Sequence, residues 1–150
     1  MALARVQATP VASGTGNLTL TFSVLPTAGN VVVVPVISFR NGAGQNVSVT
    51  DNQGNTYNLD SDPGNNNGSR AWIFVALDIV AAGTFTITVT QTGSLGAQLR
   101  AVGLEGSGFG TSDPLVGSGT ALTGGGSATV TTAATGVTDV WVIAAIAKFR

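Results

Sequence analysis

Leu18-Thr-Leu-Thr-Phe-Ser-Val24 is the stretch whose reading decides the fold. Its apolar residues fall on even positions and its hydroxyl residues on odd ones. Successive side chains of an extended strand point to opposite faces, so one face of this segment meets a core and the other meets water. Thr84-Phe-Thr-Ile-Thr-Val-Thr90 repeats the pattern, with Phe85, Ile87 and Val89 inward and the threonines outward, as suits the solvated face of an antiparallel sheet. Val31-Val-Val-Val-Pro-Val-Ile-Ser-Phe39 and Ala71-Trp-Ile-Phe-Val-Ala-Leu77 are instead continuously apolar. Short length and β-branched or aromatic enrichment assign both to strands covered on two faces, with a short helix as the alternative for the second. Pro35 has no N–H to give to a ladder, so the first run is expected to carry a bulge or to lie at an edge.

Further out, Asn46 to Thr50 and Asn55 to Leu59 flank Asp51-Asn-Gln-Gly54. Asp opening a turn and Gly where positive φ is cheap predict a β-hairpin from these two arms. Additional strands are expected at Leu3 to Ala8, Gln98 to Leu104, Ala128 to Thr132 and Val140 to Phe149. Asp62-Pro-Gly-Asn-Asn-Asn-Gly-Ser69 and Gly106-Ser-Gly-Phe-Gly110 read as exposed loops. About nine or ten short strands with frequent turn signals, and no amphipathic helix, give an all-β fold. The expected architecture is an antiparallel β-sandwich, jelly-roll or Ig-like, forming a single domain over residues 1–150, without an internal repeat.

Composition narrows the function classes. Only 9% of the residues are charged and the net charge is −1, with the six basic residues scattered along the chain. No basic stripe exists to neutralise phosphates, which argues against nucleic acid as a partner. So few charges also give weak electrostatic protection against self-association, a hint of assembly. With no Cys and no His, disulfides, thiolate chemistry, the usual zinc ligands and the commonest general base are all removed. The N-terminal segment has no signal-peptide h-region, and the longest apolar stretch, Val140 to Ala147, falls far below the roughly 20 residues that span a bilayer. The expectation is a chain kept soluble, with no secretion signal and no membrane partner.

The residues that could carry chemistry are few. Asp51, Asn55, Asp60 and Asp62 cluster in sequence and could offer oxygens to calcium, although their spacing matches no defined calcium loop and Asp and Asn are ordinary turn formers. The expected cofactor set is therefore none, with calcium as the alternative. Glu105 has no carboxylate neighbour for a glycosidase pair, and a serine nucleophile would have only Lys148 as its base. The chain is expected not to be an enzyme. Trp72, Trp141, Tyr57 and Phe109 are the rings a sugar-binding face would use. Trp72 and Trp141 sit inside apolar strands and are assigned to the core, whereas Phe109, with glycine on both sides, is the better candidate for an exposed contact.

The run Val49-Thr-Asp-Asn-Gln-Gly-Asn-Thr-Tyr57, with Trp72-Ile-Phe-Val-Ala76, Gly83-Thr-Phe-Thr-Ile-Thr-Val89, Leu104-Glu-Gly-Ser-Gly108 and Asp113-Pro-Leu115, resembles a recurring β-sandwich domain of bacterial surface proteins and phage virion proteins. The resemblance covers roughly residue 19 to the C-terminus, and its motifs are turn and core residues. It implies two contexts, adhesive extracellular modules and virus-particle decoration, and no catalytic residue. The absence of a secretion signal and of Cys favours a virion component. The expected function is a capsid decoration or tail subunit that self-associates and binds other capsid proteins. The contacts are expected from the apolar end strands and the Phe109 loop, through Leu3, Arg5, Val6, Phe109, Trp141, Ile143 and Phe149. A carbohydrate-binding or adhesive module on an extracellular surface, with a glycan partner, and an extracellular filament subunit are the alternatives.

Overall fold

The alternating and continuous apolar segments become two different sheets. A computed structural model describes residues 3–39, 45–62, 69–92, 97–109 and 143. Among these residues the chain is all β, with ten antiparallel strands: β1 Ala4–Ala8, β2 Ala12–Gly14, β3 Leu18–Thr21, β4 Val31–Phe39, β5 Asn46–Asp51, β6 Asn58–Ser61, β7 Ser69–Ala76, β8 Thr86–Thr92, β9 Gln98–Ala101 and β10 Leu104–Ser107. Seven strands form a large sheet in the order β1-β10-β4-β7-β6, with β9 beside β4 and β2 beside β9; β3, β8 and β5 form a small sheet. The two sheets pack face to face over one core, to which β4 gives Val32, Val34 and Val36, β7 gives Trp72 and Phe74, and β8 gives Ile87 and Val89. A fully buried side chain of this size contributes about 1.5–3 kcal/mol by leaving water.

The continuous runs are strands covered on two faces. On the outer side of the large sheet, Val31, Val33 and Val75 form a second buried cluster against Ile73, Leu77, Phe109 and Ile143. The segment Ala71 to Leu77 is strand and not helix. The alternating runs keep one face in the core and one polar.

The first correction concerns β4 and the strands beside it. Pro35 lies neither at an edge nor at a bulge: β4 is central, and its register with β7 runs unbroken from Val32 to Phe39. Pro35 sits where the neighbour on the other side changes from β10 to β9, and its carbonyl accepts from Val102 N at 3.4 Å. A residue's N and C=O point to the same side of a strand, so the missing N–H falls in that gap and costs one ladder bond. The expected Gln98–Leu104 strand is accordingly two strands, β9 and β10, separated at Val102-Gly103. The same gap continues outward, where Thr9 N donates to Gly103 O and Gly103 N donates to Thr9 Oγ1, between β1 and β2. A Cβ at Gly103 would stand 3.0 Å from Ile87 Cδ1 and 3.1 Å from Thr9 Cγ2, so a larger residue there would push these side chains aside. A fault line thus crosses the large sheet through Pro35, Gly103 and Thr9.

The second correction concerns the hairpin. β5 pairs with β8 in the small sheet, whereas β6 pairs with β7 in the large one, so Asp51-Asn-Gln-Gly54 carries the chain across the sandwich. Gly54, at φ 81°, supplies the left-handed step. The third concerns Gly106 to Gly110. Gly106 and Ser107 belong to β10, and Phe109 is half-buried on the outer cluster instead of projecting from a loop. The expected strands at 128–132 and 140–149 lie outside the described residues, apart from Ile143.

Candidate functional site

The small sheet presents a face without charge. Its outward positions are Thr19 and Thr21 on β3, Thr86, Thr88 and Thr90 on β8, and Asn46, Ser48 and Thr50 on β5, aligned across the strands as Thr19↔Thr88↔Thr50 and Thr90↔Ser48. Threonine suits such positions because its branched Cβ fits the pleat while its hydroxyl stays hydrated.

The edges of the two sheets differ. On β1, Arg5 pairs with Gly106 and Gln7 with Glu105, leaving Val6 as an extra, bulged residue. On β6, Leu59 pairs with Phe74 and Ser61 with Ile73, leaving Asp60 extra in the same way. A bulge twists an edge and interrupts its row of peptide groups, which discourages strand addition. β5 has no bulge: its six residues pair in unbroken register with β8.

The charged residues with defined partners are tied into the fold. Glu105 is wholly buried on β10 and faces neutral donors only: Oε1 accepts from Thr27 N at 2.8 Å and Asn30 Nδ2 at 2.6 Å, and Oε2 from Gln7 Nε2 at 2.6 Å. Asn30 is in turn fixed by Ile79, whose N donates to Asn30 O at 3.0 Å. The carboxylate therefore joins β1, the β3–β4 connection and β10. Charge-assisted bonds of this kind are about twice as strong as neutral ones, which is what lets an anion stand inside without a cation.

Asp51 organises the crossing turn. Its Oδ1 accepts from Gln53 N and Asn55 N, and its Oδ2 from Asn55 Nδ2 and Tyr57 Oη at 2.9 Å. Burial, and then the Asp51 charge, push the Tyr57 phenol well above its ordinary range. Asn55 Oδ1 accepts from Val80 N. Asp62 forms a two-pronged pair with Arg70, whose Nη1 donates to Gln45 O at 2.8 Å and whose guanidinium lies 5.0 Å from the Trp72 ring centroid. Of the four residues weighed for calcium, Asp51 and Asn55 meet but spend their oxygens on protein donors, and Asp62 is committed to Arg70. Among the described residues no three acidic, His or Cys side chains are grouped to hold a metal.

One end of the sandwich has a polar interior. Ser38, Gln45, Arg70, Gln91 and Ala97 lie at neighbouring strand ends, tied by Arg70 to Gln45 O and by Gln91 Nε2 to Ala97 O at 3.3 Å. Among the described residues, Ser38 Oγ, both side-chain amide atoms of Gln45, Trp72 Nε1 and Gln91 Oε1 are buried without a hydrogen-bond partner. Groups of this kind cost about 1–3 kcal/mol each when left unpaired. Gln45, just before β5, and Gln91, on the inward face of β8, carried no signal in the sequence beyond that placement.

The expected contact residues scatter. Arg5 and Val6 are exposed on β1 and Leu3 is half-buried just before it. Phe109 and Ile143 are drawn together on the outer cluster of the large sheet, spending apolar surface within the chain that was expected to meet a partner. Trp141 and Phe149 lie outside the described residues. No protein-family model, curated protein or solved structure matches the chain.

Proposed function

We propose that the protein is a non-enzymatic virion structural subunit, a capsid decoration or tail component that self-associates and binds the particle surface. The observation that carries this reading is the charge-free outer face of the small sheet, on a chain whose buried acid, Glu105, serves to clamp strands together. A protein that works by covering and being covered needs broad neutral surface and fixed edges more than a reactive cleft. The sequence resemblance to phage virion domains supplies the particle context. Electron microscopy of lysates labelled with an antibody to this chain tests it: label arrayed on particles is expected, and label confined to cell surfaces or filaments would overturn it.

The orphaned polar atoms of Ser38, Gln45, Trp72 and Gln91 favour a second reading, a carbohydrate-binding adhesive module, because a sugar's hydroxyls both donate and accept. Its test is a glycan array. Binding lost on Gln45→Ala but retained on Phe109→Ala would support this reading and place its site at the polar end.

A further inference from the structure

We infer that the β5 edge is a homotypic pairing surface, at which two copies of this chain join their small sheets into one continuous six-stranded sheet. The inference rests on the proposed self-association and names where it occurs.

Asn52 N donates to Thr86 O at 3.1 Å, continuing the β5–β8 register. Peptide groups alternate direction along an antiparallel pair, so Asn46, Ser48 and Thr50 point theirs at β8. Val47, Val49 and Asp51 therefore direct their N–H and C=O groups outward, and among the described residues no strand lies beyond them. The edge also ends cleanly, because the Gln45 carbonyl before it is taken by Arg70.

The other edges are less suited. β1 and β6 are bulged at Val6 and Asp60. β2 has three residues, and β3 has four and abuts β2, with Leu18 Cδ2 3.3 Å from where a Cβ on Gly14 would stand.

The occupant follows from charge. A two-fold axis sets a strand against itself, so any charge near the axis meets its own kind. Centred on Ser48, the pairing places Ser48 against Ser48, Asn46 against Thr50 and Val47 against Val49 of the second copy, and every one of these residues is neutral. Asp51, the one charged residue of β5, has its carboxylate turned back onto Gln53, Asn55 and Tyr57. It also falls opposite Gln45 of the second copy, where an Arg70 guanidinium is held. Antiparallel self-pairing thus brings no like charges to the centre of the strand, and the charges near its ends are already paired within each copy.

Sedimentation velocity over a concentration series tests this with wild type, Ser48→Lys, Ser48→Glu and Ser13→Lys, after circular dichroism has established that each is folded. Ser48 on β5 and Ser13 on β2 are both exposed, so neither change enters the core. Wild type and Ser13→Lys are expected to associate alike. Each Ser48 variant alone is expected to associate about fivefold more weakly or worse, and an equimolar mixture of the two to regain association, because opposite charges then face across the axis. A monomeric wild type would overturn the self-association reading and this inference together. A Ser48→Lys variant that associates like wild type would overturn the β5 assignment alone, as would a mixture that regains nothing.

Discussion

The large and small sheets solve the same problem in opposite ways. Around β4 and β7 the large sheet is apolar on both faces, is interrupted along the Pro35–Gly103–Thr9 line and is bulged at Val6 and Asp60. The small sheet is apolar on one face only, regular in register and free of charge on the other. The bulges and the interrupted ladder thus all fall in the large sheet, the bulges at its two edges. A sheet held on both faces has packing to spare for lost ladder bonds, whereas a three-stranded sheet depends on an unbroken ladder.

That contrast can be broken most forcefully at Trp72, wholly buried on the inner face of the large sheet. Trp72→Ala is expected to cost about 3–5 kcal/mol in urea unfolding, through the cavity left behind. Next comes Glu105→Ala, which removes the buried acceptor that Gln7, Asn30 and Thr27 N share. It is expected to cost about 2–4 kcal/mol in the same measurement, and a change below about 1 kcal/mol would mean the clamp contributes little.

A smaller effect tests the join between the sheets. Tyr57 is the chain's one tyrosine, so its ultraviolet ionisation signal belongs to a single site. Its folded pKa lies above the unfolded value of about 10, so the folded state holds the proton longer than the unfolded state does. Stability is therefore complete below about pH 10 and falls as pH rises beyond it, and Tyr57→Phe should remove that component of the fall. Smallest of all is Thr88→Val on the solvated face, expected to change stability by no more than about 0.5 kcal/mol. A larger loss would mean the threonine face is structurally tuned and not merely solvated.

Much of the fold was legible because it was written locally. Period-two alternation identified β3 and β8, and unbroken apolar runs identified β4 and β7, since both patterns reflect which faces meet water. What failed was sheet membership. Asp51-Asn-Gln-Gly54 has the chemistry of a tight turn and makes one, but whether the following strand folds back or crosses depends on Val80 gripping Asn55 and on β7 receiving β6, contacts remote in sequence. Pro35 was judged by its missing N–H without the knowledge that a gap awaited it. Phe109 looked exposed because glycines flank it, yet the outer face of β4 and β7 needed covering. Glu105 could have been singled out as an acid with no cation within several residues in a strand-forming context, although its donors could not have been named.

The Glu105 clamp has a consequence for how the chain is made. Its donors lie 98, 78 and 75 residues upstream, so a ribosome releases Gln7, Thr27 and Asn30 long before the carboxylate that joins them. During synthesis β1 has no strand to pair with until β10 emerges, and the N-terminal lane is therefore among the last parts of the large sheet to close. For that interval the growing chain exposes an unpaired segment carrying Val6, and its protection from neighbouring chains must come from its own sequence and not yet from its fold.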